Sequence, residues 1–393
     1  MKILIVSFYY RPDLSAGSFR ATALVEALRG TLPAGSTIDV VTTLPNRYHS
    51  FAADAPEHEQ RGEVSVTRIA LPAHRSGMLD QSRAFLRFAR ATTREVKGRR
   101  YDLVFATSSR LMTAVLAAGI ARRARARLYL DLRDIFVDTI KDVAPPLVAR
   151  LTKPLFAMME QWVVGRADRV NLVSRGFARY FEPRYPRRKF SYFSNGIDEE
   201  FLDVRRGPPA AAPSPSATRP LLVLYAGNIG EGQGLHAIVP ELARRTEGRM
   251  QFRIVGDSGR RRALEQSLVG STNVELRAPV ARDELVALYR SADVLFLHLN
   301  DYEAFEKVLP SKLFEYAAMG KPVWAGVAGF AAEFIRAEIE NAVVFPPCDV
   351  DAALQSFATL AITDTPRDRF LAKYARASIS RAMAAEIVAV AGE

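Results

Sequence analysis

Short apolar runs and amphipathic stretches take turns along the chain from its first residues. KILIVS (2–7) is followed by GSFRATALVEALRG, where Phe19, Leu24, Ala27 and Leu28 recur at helical spacing. IDVVTT, VSVTRIA, DLVFATS and RLYLDL read as further buried strands, with helical stretches near 80–98, 110–124 and 147–166, and RVNLVS and FSYFSN close this half. EEFLDVRRGPPAAAPSPSATRP (199–220) has no periodicity and reads as a linker. The alternation then restarts: LLVLYAG, a helix near 233–246, QFRIVG, VELRAP, DVLFLH, KPVWAG and AVVFPP. Strand and helix in strict alternation predict a parallel sheet covered on both faces, here built twice.

The fold class is therefore α/β, with two Rossmann-like domains whose parallel sheets are expected to face each other across a cleft. Their predicted bounds are 1–195, a Pro/Ala-rich linker at 196–219, 220–365, and a helical segment at 366–393 packing back on the N-terminal domain. A length of 393 residues fits two domains. The single cysteine of the chain, Cys348, excludes an intramolecular disulfide framework and fits a reducing compartment. Met1-Lys2 leads straight into a strand, so no signal peptide is expected. The longest apolar run, LMTAVLAAGIA at 111–121, lies between Arg110 and Arg122 and falls short of the ~20 residues a bilayer requires. The expectation is a soluble or peripheral protein.

Charge changes the picture more than composition does. The net charge is +11, but residues 1–195 hold 32 Lys and Arg against 17 Asp and Glu, whereas residues 196–393 hold 22 against 26. A basic half beside a slightly acidic one predicts that one domain faces nucleic acid, an anionic membrane or a phosphorylated substrate. Only 9 of the 54 basic residues are lysine, so biased genome composition also accounts for the arginine excess, though not for its asymmetry. RAFLRFARATTREV (83–96) places Arg83, Arg87, Arg90 and Arg94 on one helical face and Phe85, Phe88, Ala89, Thr92 and Val96 on the other. That stripe is either an ordinary solvated face or a docking face for anionic lipid. No nucleic-acid-binding module or aromatic platform accompanies it, so no nucleic-acid partner is expected.

Several strand-end loops carry chemistry. In YYRPDLSAGSFRATAL, Gly17 permits close backbone approach to a ligand, and Ser15 or Ser18 can cap the following helix; a purely structural turn reads the same way. YAGNIGEGQGLHAIV offers Gly227, Gly230, Gly232 and Gly234 before a helix, and IVGDSGRRR places Asp257 and Arg260 at another helix start. Neither loop has dinucleotide-fingerprint or Walker spacing. In KVLPSKLFEYAAMGKP, Pro310 fixes the chain entering a helix, and Ser311 and Lys312 sit at its positive end. Glu315 shares a face with Ser311, so a ligand over the helix start can reach its carboxylate. A carboxylate suits a ribose diol; the alternative is a plain amphipathic helix with Glu315 solvated.

The order of these motifs, with SFYYRPDLSAGSFR, DLRDIFVD, SNGID, YAGNIGEGQGL, IVGDSG and PSKLFEYAAMGKPV along nearly the whole chain, resembles the family-4 retaining glycosyltransferases of the GT-B fold. Within them the chain is most similar to bacterial fucosamine-type transferases of O-antigen and capsule assembly. The resemblance implies a nucleoside-diphosphate sugar as co-substrate, UDP rather than GDP, and no other cofactor. The transferred sugar would be an N-acetylated deoxyhexosamine such as N-acetylfucosamine, and the acceptor a polyprenyl-pyrophosphate-linked saccharide. The protein would be cytoplasmic, held peripherally at the inner face of the plasma membrane. The C-terminal domain would hold the donor and the N-terminal domain the acceptor. Glu315 matches the ribose-binding glutamate, and Ser311 and Lys312 match the diphosphate-binding helix start. Gly17 matches the loop near the transferred sugar. Asp134 falls where the family keeps a His or Asp beside the reacting carbon, with Asp131 as second choice.

Two departures from the family pattern stand out. The usual Arg and Lys of the glycine loop are Asn228 and Gln233, and the first acid of the E-x7-E motif is Lys307. The diphosphate charge then falls to Lys312, with Arg260 or Lys307 and helix-end N–H groups, while Glu303 and Glu306 stand near enough to replace the missing acid. The D-x-D at Asp349-Val350-Asp351 opens a helix and reads as an N-cap, and the histidines make no ligand cluster with Cys348, so no metal is expected. Two rival functions remain: a nucleotide-sugar 2-epimerase, and a non-catalytic sugar-nucleotide-binding partner, which the two neutral amides favour.

Overall fold

A computed structural model describes the chain apart from residues 14, 46–53, 72–77, 109–110, 138–145 and 204–218. The chain divides into two compact units, 1–194 with 377–393, and 195–376.

The first unit is built on an eight-stranded sheet: β1 (Lys2–Ser7), β2 (Thr37–Thr43), β3 (His58–Arg61), β4 (Val64–Ile69), β5 (Leu103–Ser108), β6 (Arg127–Leu132), β7 (Arg169–Leu172) and β8 (Phe190–Ser191). The order is β3-β4-β2-β1-β5-β6-β7-β8, parallel throughout except for the β3–β4 hairpin. Helices α1 (Ala16–Thr31), α2 (Met78–Glu95), α3 (Leu111–Ala124), α4 (Pro146–Val164) and α5 (Ala178–Arg184) lie between the strands. The apolar runs β1 and β5 are buried along nearly their whole length, as central parallel strands covered on both faces must be. The polar strand β3 carries no such signal. It exists because its backbone pairs with β4 at the sheet edge.

The second unit carries α6 (Glu199–Asp203) ahead of its sheet and has six parallel strands: β9 (Leu221–Ala226), β10 (Met250–Val255), β11 (Val274–Arg277), β12 (Val294–His298), β13 (Val323–Gly326) and β14 (Ala342–Phe345). Their order, β11-β10-β9-β12-β13-β14, is the doubly wound one, with the switch point between β9 and β12. Its helices are α7 (Leu235–Arg245), α8 (Arg261–Ser267), α9 (Arg282–Ser291), α10 (Lys312–Met319), α11 (Gly329–Glu338), α12 (Val350–Phe357) and α13 (Asp368–Tyr374). Asp349 caps α12, its side chain accepting from Ala352 N at 2.9 Å.

The C-terminal segment differs from the expected single block packing on the first domain. Helix α13 stays with the second unit because Phe370 and Tyr374 pack on Phe314 and Phe334. The last helix, α14 (Arg376–Gly392), inserts Met383, Ala384, Ile387 and Val390 into the core formed by Ile3, Leu24 and Phe105 of the first unit. The predicted linker is likewise shorter than 196–219: residues 195–203 fold with the second unit, and its Pro-rich part lies outside the described residues.

Candidate active site

The second unit gathers its candidate residues at the carboxyl ends of β9 and β12, on either side of the switch point, where open α/β sheets bind ligands. Helix α10 presents Glu315, Lys312 and Tyr316 to this edge. Glu315 is buried, and its Oε2 accepts from Tyr289 Oη at 2.8 Å and from Lys312 Nζ at 3.0 Å. Lys312 Nζ also donates to Tyr289 Oη at 3.0 Å, which closes a triangle. Oε1 of Glu315 accepts nothing from the described residues and is the oxygen open to a hydroxyl. Burial pushes the Glu315 carboxyl up, but the charges of Lys312 and Arg282, with the two hydrogen bonds, outweigh it and hold the group ionised below its ordinary value. Burial, then the Glu315 charge, drives the Tyr289 phenol well above its ordinary value, so it stays a donor.

Ser311 precedes α10 in right-handed helical conformation with no side-chain cap, and Pro310 O accepts from Leu313 N at 3.2 Å. The backbone N–H groups of Ser311 and Lys312 donate to none of the described residues, which leaves them for an anion. Lys312 does not extend outward. Its stem lies over the β9 loop, where a Cβ on Gly227 would stand 3.2 Å from Lys312 Cε. Gly256 packs still closer on the same loop: a Cβ there would lie 1.8 Å from Gly227 O, at a φ of +152°.

Asn228 and Gln233, the two neutral replacements, find each other. Gln233 Oε1 accepts from Asn228 Nδ2 and from Gly230 N, both at 3.1 Å. Gly230 N is thereby occupied rather than open to phosphate. His298, at the end of β12, braces the loop from beneath: Nδ1 lies 2.7 Å from Gln233 O, and Nε2 accepts from Cys348 N at 2.9 Å. Burial pushes its pKa down to about 4, so the ring is neutral, and its partners, a carbonyl at Nδ1 and an N–H at Nε2, put the proton on Nδ1.

The other charges expected near a diphosphate are engaged elsewhere. Arg260 is paired with Glu231, which also accepts from Tyr302 Oη at 2.7 Å. Lys307 Nζ lies 3.9 Å from Glu303 Oε1, and Glu306 is exposed. Asp257 shapes its loop, accepting from Ser258 N at 2.8 Å through Oδ1 and from Ile229 N through its carbonyl. Lys312 is thus the cation the structure brings to both the carboxylate and the glycine loop. Tyr289, Arg282 and His298 were missed by sequence reasoning; each sits on an element without a motif, and only packing reveals it.

In the first unit, Ser15 caps α1, accepting from Ser18 N at 3.2 Å. Gly17 is not open space: a Cβ there would stand 2.4 Å from Arg133 Nη1, so the Arg133 side chain lies across it. Asp134 follows directly, just beyond the carboxyl end of β6, and no described residue hydrogen-bonds it. Burial raises its pKa to about 6, with Arg133 opposing, so near neutral pH it exchanges a proton readily. Asp131, the second choice for this role, is corrected. It is fully buried, with Oδ2 held by Arg20 Nε at 2.8 Å and Oδ1 by Arg20 Nη2 at 2.9 Å and Asn171 Nδ2 at 2.7 Å. Burial raises its pKa, but Arg20 outweighs this and keeps the group ionised, so Asp131 anchors α1 to the sheet and has no free oxygen for chemistry. Arg83, Arg87, Arg90 and Arg94 are exposed on α2, while Phe85, Phe88, Thr92 and Val96 are buried.

Residues 17–196 match a glycosyl transferase 4-like domain, and residues 220–362 match the glycosyl transferases group 1 family. The chain is a glycosyltransferase of the GT-B type, with these two domains covering most of it. It is 35% identical over 101 residues to the putative colanic acid biosynthesis glycosyl transferase WcaI of Escherichia coli, a match spanning a quarter of either chain. Among solved structures, sucrose-phosphate synthase from Thermosynechococcus elongatus shares the fold with a TM-score of 0.70 at 17% identity, over 98% of this chain and 97% of that one. Anabaena Alr3699/HepE, solved in complex with UDP and glucose, gives 0.62 at 18% identity, over 100% and 97%. Among the described residues no helix is long and apolar enough to cross a membrane.

Proposed function

We propose that the chain transfers a sugar, with retention at the anomeric carbon, from a nucleoside diphosphate to a polyprenyl-pyrophosphate-linked saccharide in surface polysaccharide assembly. UDP is the preferred nucleotide and an N-acetylated deoxyhexosamine such as N-acetylfucosamine the preferred sugar. The observation that carries the donor assignment is the Lys312–Tyr289–Glu315 triangle, which leaves one carboxylate oxygen open beside two unpaired helix-start N–H groups. Glu315 takes the ribose hydroxyls, and Ser311 N, Lys312 N and the Lys312 ammonium stabilise the departing diphosphate as its charge grows. Asp134 receives or orients the proton of the acceptor hydroxyl whose oxygen forms the new bond to the anomeric carbon. Leaving-group charge is met by these donors without a metal, so activity survives chelation of divalent cations. The enzyme works at the inner face of the plasma membrane, and the basic first unit supports that location.

A second reading, a nucleotide-sugar-binding partner without transfer activity, is favoured by the Asn228–Gln233 pair, which brings no charge to the diphosphate. Thermal-shift screening against nucleotide-sugars tests the donor assignment, because a ligand bound only to the folded state raises the midpoint. UDP-sugars are expected to stabilise the protein more than GDP-sugars; no shift with any of them overturns the assignment. Transfer to a prenyl-diphosphate saccharide then separates enzyme from binding partner.

A further inference from the structure

The arginines of α2, though exposed, border a groove. Arg83, Arg87, Arg90 and Arg94 form one wall of a groove of about 820 Å³, and Thr67, Arg68 and Ile69 of β4 with His58 of β3 form the other. Most of the remaining charge in the groove is already matched. Arg68 is held by Glu59 at 2.7 Å and by two backbone carbonyls, and Glu95 by Arg99. Arg87 Nε donates to Ala70 O at 2.9 Å, keeping its charge in the groove. Arg83, Arg90 and Arg94 make no hydrogen bond or ion pair with the described residues. Glu57 is the one acid of the lining without a described ion pair.

Four like charges at i, i+3 and i, i+4 spacing weaken a helix when nothing lies between them. Over eleven residues the row runs about 16 Å at 1.5 Å per residue, one guanidinium per turn. Guanidinium forks match phosphoryl oxygens in a planar, two-point fashion, and a diphosphate ester offers two adjoining phosphoryl groups to neighbouring turns. Leu86, 51% exposed, adds an apolar lip where a hydrocarbon chain leaves the groove. A planar bilayer meets only the tips of such a wall, whereas a single headgroup can enter between α2 and β4. We propose that the α2–β4 groove binds the diphosphate headgroup of a prenyl-linked acceptor, rather than serving as a flat docking face for anionic lipid. The identity of that headgroup as acceptor rests on the reading above; the groove's affinity for a prenyl diphosphate does not.

The test titrates the full chain, saturated with UDP to occupy the donor site, with farnesyl diphosphate and with inorganic pyrophosphate. A parallel arm measures flotation with phosphatidylglycerol vesicles. Substituting Arg90→Gln and Arg94→Gln together is expected to weaken farnesyl diphosphate binding at least tenfold with UDP affinity unchanged. Arg90→Lys with Arg94→Lys is expected to lose most of that affinity too, since charge remains but the fork does not, while keeping any vesicle binding. Equal farnesyl diphosphate affinity in wild type and the Gln pair overturns the proposal. So does full recovery of both farnesyl diphosphate and vesicle binding by the Lys pair, which is the signature of flat docking. Absence of UDP binding or sugar transfer, with the arginine-dependent farnesyl diphosphate affinity intact, defeats the transferase reading and leaves the groove standing.

Discussion

Glu315→Ala is the substitution whose consequences the structure fixes most closely. It removes the acceptor of two hydrogen bonds, from Tyr289 and Lys312, and leaves between those two residues only the bond that Lys312 Nζ donates to Tyr289 Oη at 3.0 Å. Removing one partner of a fully buried pair costs about 3–5 kcal/mol. Lys312 keeps 23% of its side-chain surface and can be rehydrated, so a loss of about 1–3 kcal/mol of stability is the better expectation. The effect on the donor follows from the open Oε1. One hydroxyl bonded to a charged acceptor contributes about 1.5–3 kcal/mol. At 1.4 kcal/mol per decade, UDP affinity falls roughly 12- to 140-fold. The assay is calorimetric titration with UDP and with its 2′,3′-dideoxy analogue. Wild type is expected to prefer UDP by about that factor, and the variant to bind both within about threefold of each other. If Glu315→Ala still discriminates as wild type does, the carboxylate does not hold the ribose and the assignment is refuted.

Asp134→Asn should cost at least about 100-fold in kcat, the usual scale for a lost proton-transfer group, while stabilising the protein at neutral pH. The folded carboxyl titrates near 6 and the unfolded one near 3.9, so the folded state binds more protons between those values and wild-type stability falls as pH rises through that window. Urea melts at pH 4 and pH 7 should show the variant ahead only at pH 7; equal stability at both would sink the idea of an uncompensated carboxylate. Asn228→Arg with Gln233→Lys should tighten UDP binding about 3- to 10-fold in a salt-sensitive manner, and unchanged affinity across salt would show that the loop does not touch the diphosphate. Gly256→Ala should destabilise by about 2–4 kcal/mol, because the new Cβ meets Gly227 O in a backbone conformation that side chains rarely adopt. A wild-type melting temperature for that variant would contradict the close packing of the two loops.

The alternating pattern exposes both sheets because central parallel strands such as β1, β5 and β12 are buried on both faces and read as apolar runs. Strand β3 leaves no such trace, being polar and held only by its pairing with β4. The two C-terminal helices read as one block because nothing in their sequence separates them; only Phe370 and Tyr374 decide which core takes the first. In the site, Glu315, Lys312 and Ser311 are legible from their place at a helix start. Tyr289, Arg282 and His298 are not, because hydrogen bonds across a sheet edge leave no spacing in the sequence. Asp131 and Asp134 look equivalent in DLRD, and their surroundings separate them. One faces inward from the strand onto Arg20, and the other lies past its end with no hydrogen bond from the described residues.

The most direct test is the reaction itself. Purified protein would be incubated with a UDP-N-acetyl-deoxyhexosamine, with and without a prenyl-diphosphate-linked saccharide, and the products read by mass spectrometry and NMR. The expected result is acceptor-dependent UDP release and a glycosidic bond with the donor's anomeric configuration, both lost in Glu315→Ala. Isomerised nucleotide-sugar without acceptor, or nucleotide binding with no transfer to any acceptor, would contradict it.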